Sequence, residues 1–182
     1  MRLIIVFALM MSFMLSMSLF GKNDDKKELK MGDKAPNFTL KDDSGKVRTL
    51  SDFEGERVVV YFYPKNDTPG CTKEACSFRD NYDMFAKEDI VVLGISYDSV
   101  ESHKKFKEKY NLPFILLSDE KKEVAKLYNA SGGLMNMFAK RITYLLDKEG
   151  KIIHIFDNVA VTEHAEDVMQ VYKEKEKVKK KM

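Results

Sequence analysis

The sequence predicts an α/β layer fold with a central mixed β-sheet flanked by helices, and three observations carry that expectation. Two apolar runs, Val58-Val59-Val60-Tyr61-Phe62-Tyr63 and Ile90-Val91-Val92-Leu93-Gly94-Ile95, show no polar alternation, as strands buried on both faces do. Around them lie stretches with the 3/4 apolar spacing of amphipathic helices. Toward the end of the chain, residues 141–146 and 151–156 flank Asp147-Lys148-Glu149-Gly150, the pattern of a β-hairpin. Strands that alternate with helices and close on a hairpin put parallel and antiparallel pairs in one sheet.

The 182 residues suit one domain once the ends are set aside. Residues 1–20 read as an N-terminal signal peptide or membrane anchor, because Arg2 precedes a run, 3–20, that is uncharged and mostly apolar. Ser16-Met17-Ser18 offers a small-x-small cleavage site. Export with cleavage, to a periplasmic or other extracytoplasmic place, is therefore the expectation, with an uncleaved anchor touching the membrane as the alternative. Residues 21–30 form a charged linker, 31–172 the folded domain and 173–182 a Lys-rich tail. Within the domain, Phe38-Thr39-Leu40, an Asp42-Asp43-Ser44-Gly45 turn and Val47-Arg48-Thr49-Leu50 read as a hairpin, with Ser51-Asp52-Phe53 a helical turn ahead of the first apolar strand. Ser99 caps a helix running to about Tyr110; 114–117 is a strand, 123–128 a short helix, and a last helix starts at Thr162. The stretch 129–140 reads as a flexible loop whose Leu134, Met135, Met137 and Phe138 fold over a core.

Chemistry concentrates between Pro64 and Asp80, which holds both cysteines of the chain. Pro64 ends the apolar strand. Thr68 stands at an N-cap, Pro69 at the first helical position, where its missing N–H costs nothing, and Cys71 in the first turn. Cys71, Ala75, Phe78, Tyr82 and Phe85 keep one apolar face, so the thiol points inward from a helix N-terminus. Unpaired backbone N–H groups and the positive end of the helix dipole favour a thiolate there, more so beside an arginine. Residues five apart on a helix have Cα atoms about 8–9 Å apart, beyond the roughly 7 Å that a disulfide spans. Cys71 and Cys76 are therefore never paired, or they pair only when the first turns unwind, which suits a redox cycle better than a staple.

Pro64-x-x-x-Thr68-x-x-Cys71-x-x-Glu74 resembles the active-site pattern of peroxiredoxins. The fuller string, Tyr63-Pro64 and then Thr68-Pro69-Gly70-Cys71-Thr72-Lys73-Glu74-Ala75-Cys76-Ser77-Phe78-Arg79-Asp80, is similar to their bacterioferritin-comigratory protein (PrxQ) branch. The resemblance covers roughly residues 31–172. It implies a thioredoxin-like fold and a peroxidase that reduces hydrogen peroxide and organic hydroperoxides without metal, haem or flavin. It also implies recycling by a thioredoxin-like dithiol protein; a monomer is the expectation, although the sequence leaves the oligomeric state open. By the same resemblance Cys71 is the peroxidatic nucleophile and Cys76 the resolving thiol that closes an intramolecular disulfide with it. Thr68 is the hydroxyl that hydrogen-bonds thiolate and peroxide, Pro64 the shield over the site, Arg141 the later-strand arginine that contacts Cys71, and Glu74 a supporting acid. The loop 129–140 departs from common members of the branch, which are longer and more polar there, and this leaves the preferred peroxide open.

Two other classes compete less well. An exported thiol–disulfide oxidoreductase would want Cys-x-x-Cys, and a copper-binding module on the same fold Cys-x3-Cys with a distant histidine; the spacing here is Cys-x4-Cys. His103, His154 and His164 fall on helix, strand and helix without ligand spacing and read as structural or solvated. A net charge of +2 gives no case for nucleic acid. Arg79, in mid-helix, reads as solvated or locally ion-paired. Arg141 opens an otherwise apolar strand, where an unpartnered guanidinium is costly, so it snorkels to solvent or meets an anion.

Overall fold

The structure, a computed structural model, describes residues 28–181. The signal or anchor expected for residues 1–20 lies outside the described residues, among which no helix is long and apolar enough to cross a membrane. A seven-stranded mixed sheet organises the chain. It contains β1 (Thr39–Asp42), β2 (Val47–Thr49), β3 (Arg57–Phe62), β4 (Ile90–Ser96) and β5 (Ile115–Ser118). A separate two-stranded ribbon follows, β6 (Ser131–Gly132) with β7 (Phe138–Ala139), and then β8 (Ile142–Leu146) and β9 (Ile152–Phe156) complete the main sheet. Across it the order is β2-β1-β5-β4-β3-β8-β9. The helices are α1 (Pro69–Asp80), α2 (Tyr82–Lys87), α3 (Val100–Tyr110), α4 (Glu123–Leu127) and α5 (His164–Lys181).

β3 pairs in parallel with β4 and antiparallel with β8, so both its edges are hydrogen-bonded, and each of its faces packs against a core. Val59, Tyr61 and Tyr63 face a core with Cys71, Ala75, Phe78 and Phe85 from α1 and α2 and with Val168 and Met169 from α5. Val58, Val60 and Phe62 face the opposite core, with Tyr128, Tyr144 and Ile152. A period of two that serves two cores is why the sequence run has no polar residue. Gly94 in β4 answers a close approach: a Cβ there would lie 2.7 Å from the Tyr61 phenol. α5 is fastened to the sheet by the Tyr172 hydroxyl, 2.9 Å from the carbonyl oxygen of Val58 and 3.1 Å from that of Leu146.

Two expectations are overturned. The apolar face from Cys71 to Phe85 is not one helix, because Asn81 sits in the bridge region of backbone space (φ −105°, ψ 8°) and its side-chain amide donates to the Ser77 carbonyl oxygen at 3.0 Å, closing α1. The face continues because α2 restarts at once. Nor is 129–140 a featureless loop folded over a core. In the β6–β7 ribbon Ser131 lies opposite Ala139 and Gly132 opposite Phe138, and Met135 and Asn136 at its tip take left-handed backbone (φ 58° and 54°). Alternation buries Ala139 and turns Phe138 outward, so Met135, Met137 and Phe138 are 85, 55 and 42% exposed.

Candidate active site

Residues 63–68 carry the chain from β3 into α1, and side chains from neighbouring elements fix that turn. The Tyr63 hydroxyl donates to Asn66 Oδ1 (2.7 Å) and lies 3.2 Å from Nδ1 of the buried His103, while the Asn66 N–H donates to Asp98 Oδ2 (2.9 Å). Asp67, in left-handed backbone (φ 60°), accepts from Lys109 Nζ (2.8 Å) and the Tyr110 hydroxyl (2.7 Å). Pro64 is half-buried at the start of the turn. Thr68 occupies the N-cap of α1 with Pro69 after it, but its side chain does not cap: the hydroxyl donates to the Lys65 carbonyl oxygen at 3.0 Å. Its oxygen keeps lone pairs for accepting a hydrogen bond.

The first intrahelical bond runs from Thr72 N–H to the Thr68 carbonyl oxygen (2.8 Å). The N–H groups of Gly70 and Cys71 therefore have no acceptor within the helix, and with the helix dipole they make its amino end positively polarised. Cys71 lies there, 2% exposed. Register supplies its partner. Thr143 is opposite Tyr61 and Ile142 opposite Phe62, so alternation points Arg141, Thr143 and Leu145 at the face that α1 covers. The Arg141 guanidinium donates through Nη2 to Cys71 Sγ (3.3 Å) and through Nη1 to Glu74 Oε2. Arg141 thus meets an anion-forming pair rather than solvent; its side chain is 22% exposed and that of Glu74 is fully buried. Gly70 permits the approach, since a Cβ there would lie 3.3 Å from Arg141 Nη2.

Burial pushes the Glu74 carboxyl up to about 7, against the opposing pull of Arg141. Burial also works against the charge on Arg141, but Glu74 and then Cys71 outweigh it and hold the guanidinium protonated. Burial raises the Tyr61 and Tyr63 phenols well above their ordinary value, so both are neutral beside the site. Both cysteines are free, Cys76 half-buried on the same helix. That helix is intact between them, which keeps the Cα spacing that forbids a bridge. Arg79 pairs with Asp80 (2.8 Å) and donates to the Tyr110 carbonyl oxygen (2.9 Å).

A further group lies behind Glu74. His164, the first residue of α5, places Nε2 3.9 Å from Glu74 Oε1 and 2.9 Å from Thr143 Oγ1. The sequence reads this histidine as structural or solvated; it is fully buried, and only the packing of α5 on α1 brings it to the site. Thr143 did carry a signal, being two residues along the strand from Arg141 and hence on the same face. Gly70 and Tyr61 are the other groups that the sequence did not single out.

The profile of the AhpC/TSA family matches residues 31–155. Peroxiredoxin Bcp of Bacillus subtilis is 44% identical over 151 residues, which cover 80% of this chain and 96% of that protein. The chloroplastic peroxiredoxin Q of Oryza sativa subsp. japonica is 52% identical over 127 residues, covering 70% of this chain and 58% of that protein. Among solved structures, peroxidoxin BcpB of Mycobacterium tuberculosis superposes with a TM-score of 0.75 at 35% identity, over 80% of this chain and 97% of its own. With the thioredoxin-like arrangement of sheet and helices and the fork of Arg141 between Cys71 and Glu74, these likenesses show that the chain belongs to the AhpC/TSA family, on its Bcp/PrxQ peroxiredoxin branch.

Proposed function

We propose that Cys71 is the peroxidatic and Cys76 the resolving cysteine of this thiol peroxidase, and that a thioredoxin-like dithiol protein recycles it. The observation that carries the assignment is the Arg141 fork at the amino end of α1, one nitrogen on the buried Cys71 sulfur and the other on Glu74. The Cys71 thiolate attacks the terminal oxygen of a hydroperoxide. The S–O bond forms as the O–O bond breaks, sulfur is oxidised, and the departing oxygen takes a proton and leaves as water or an alcohol. Negative charge passes from sulfur to oxygen, and Arg141 with the N–H groups of Gly70 and Cys71 are the fixed donors for it. Thr68, with its own proton on Lys65, presents an oxygen that accepts from the peroxide O–H. Pro64 shields the mouth.

Cys71 is then a sulfenic acid. After the first turns of α1 unwind, the Cys76 thiolate attacks that sulfur and expels hydroxide, which leaves as water on taking a proton. Exchange with an external dithiol restores both thiols. Only the terminal O–O bond reacts, so hydrogen peroxide and organic hydroperoxides both fit the scheme. In steady state with thioredoxin as reductant, Cys71→Ser is expected to lose peroxide consumption and Cys76→Ser to stop after one turnover. Continued turnover by Cys71→Ser contradicts the assignment.

A further inference from the structure

Arg141 carries one positive charge and faces two acids, Cys71 and Glu74. With both ionised, the cluster would hold one negative charge in excess, and Glu74 has no exposure to solvent through which to relieve it. A proton must therefore be kept close by while Cys71 is a thiolate. Glu74 Oε1 has no hydrogen-bond partner among the described residues and lies 3.9 Å from His164 Nε2. A shift of about 1 Å brings these two atoms to hydrogen-bond distance. Buried polar atoms without a partner are uncommon, and this one sits beside a basic ring nitrogen. The Thr143 hydroxyl lies 2.9 Å from the same Nε2; it accepts when that nitrogen is protonated, and when Glu74 donates to the single lone pair of a bare Nε2 the hydroxyl turns its own proton elsewhere. The ring is held in place by Phe78 and Phe156 (centroids 5.3 and 5.1 Å), and Ala165 N–H donates to Ser77 Oγ (3.3 Å), tying the start of α5 to α1.

We propose that Glu74 and His164 form a proton-holding pair behind Cys71, in which His164 is a positioning residue: while Cys71 is a thiolate the pair keeps one proton on Glu74 Oε1, directed at His164 Nε2, and so turns the charge of Arg141 onto sulfur. The proposal rests on Cys71 being the peroxidatic cysteine. Where Glu74 is already neutral the thiol gives its proton to solvent, and where Glu74 is ionised it takes up a proton as sulfur gives one up; either way the cluster then carries the positive charge of Arg141 and the negative charge of sulfur, and no electron moves. Burial, and then Arg141, hold the His164 imidazole down at about 4, and its place at the amino end of α5 acts in the same sense; burial lifts Glu74 to about 7. The proton accordingly sits on the carboxyl rather than the ring. The other groups facing the pair leave this unchanged: Tyr61 and Tyr63 of β3 are neutral phenols, β9 contributes the Phe156 ring and, against that ring (centroids 4.4 Å), His154, whose imidazole burial holds below its ordinary value, Arg141 is already counted, and on α5 itself Glu166 is exposed and Asp167 half-buried.

The test is the pH profile of the reaction of reduced, full-length protein with one equivalent of hydrogen peroxide, in a double-mutant cycle of Glu74→Gln and His164→Phe. E74Q is neutral at every pH, and the profile moves to lower pH. His164→Phe fills the space between Phe78 and Phe156 without an acceptor. Glu74 then holds its proton less tightly, and the profile moves up by about half to one pH unit, the equivalent of one hydrogen bond. In the E74Q background that shift disappears. Should His164→Phe fail to fold, His164→Gln takes its place in the cycle, with a smaller shift and the same disappearance. An equal shift in both backgrounds, or none in either, overturns the proposal and leaves His164 a packing residue. Cys71→Ser separates the two readings: if it does not react and the cycle shows no coupling, the pair alone fails; if it still reacts, the peroxidatic assignment fails and the pair with it.

Discussion

Replacing Arg141 by alanine removes two interactions of one guanidinium, and pH separates them. The Nη2 contact with Cys71 Sγ (3.3 Å) is a hydrogen bond to a group that reacts as an anion. Such bonds contribute about 1.5–3 kcal/mol net, which corresponds to a slowing of the peroxide reaction of roughly 10- to 150-fold. The Nη1 contact neutralises Glu74, which has no exposure to water. Removing one partner of a buried ion pair costs about 3–5 kcal/mol when the other stays charged, but Glu74 escapes part of that by protonating. The loss of stability should therefore be small at acid pH and grow as pH rises through neutrality. Stopped-flow single turnover with hydrogen peroxide gives the first effect, and denaturant unfolding at several pH values gives the second. Arg141→Lys should lie between, since one ammonium cannot replace a fork reaching both sulfur and carboxylate. A folded Arg141→Ala protein that reacts as fast as the wild type would refute the electrostatic role.

Two more predictions follow from the same cluster and its helix. A carboxyl raised to about 7 in the folded protein stabilises the fold at acid pH, an effect lost as pH climbs from the ordinary carboxylate value through 7. An imidazole lowered to about 4 acts oppositely, its contribution being lost as pH falls from the ordinary imidazole value through 4. Glu74 and His164 therefore offset one another in the wild type. Relative to it, Glu74→Gln should gain stability with rising pH and His164→Phe should lose it; His103, also lowered to about 4 by burial, is common to all three proteins and cancels. Differences that stay flat with pH would contradict this. Hydrogen exchange of the two redox forms tests the geometry of α1: since the bridge requires unwinding, oxidation should speed exchange over residues 69–79 and leave β3 and β4 unchanged, whereas greater protection in the oxidised form would make Cys71–Cys76 a staple.

Much of this was legible in the residues because it is local. The unbroken apolar run of β3, the Thr68-Pro69 helix start and the Ser99 cap, whose side chain accepts from Ser102 N–H at 3.3 Å, each depend on a few neighbours. The break at Asn81 was not legible, because α2 resumes the same apolar face and the spacing hardly registers the kink. The β6–β7 ribbon escaped notice because two-residue strands are too short to show a period. The position of Thr68 was legible while its bond was not: an N-cap residue type also bonds well to a nearby carbonyl, and here Lys65 offers one. His164 is the clearest case, since its partners Glu74 and Thr143 lie on α1 and β8, and only tertiary packing joins the three.

Which sulfur meets peroxide first decides the catalytic assignment, and mass mapping of the peptide holding Cys71 and Cys76 measures it directly. Reduced full-length protein receives one equivalent of hydrogen peroxide in the presence of a sulfenic-acid trap. The expected products are a Cys71–Cys76 disulfide in the wild type, a trapped sulfenic acid on Cys71 in Cys76→Ser, and neither in Cys71→Ser. A trapped sulfenic acid on Cys76, with Cys71 unmodified, would contradict the roles that the Arg141 fork assigns.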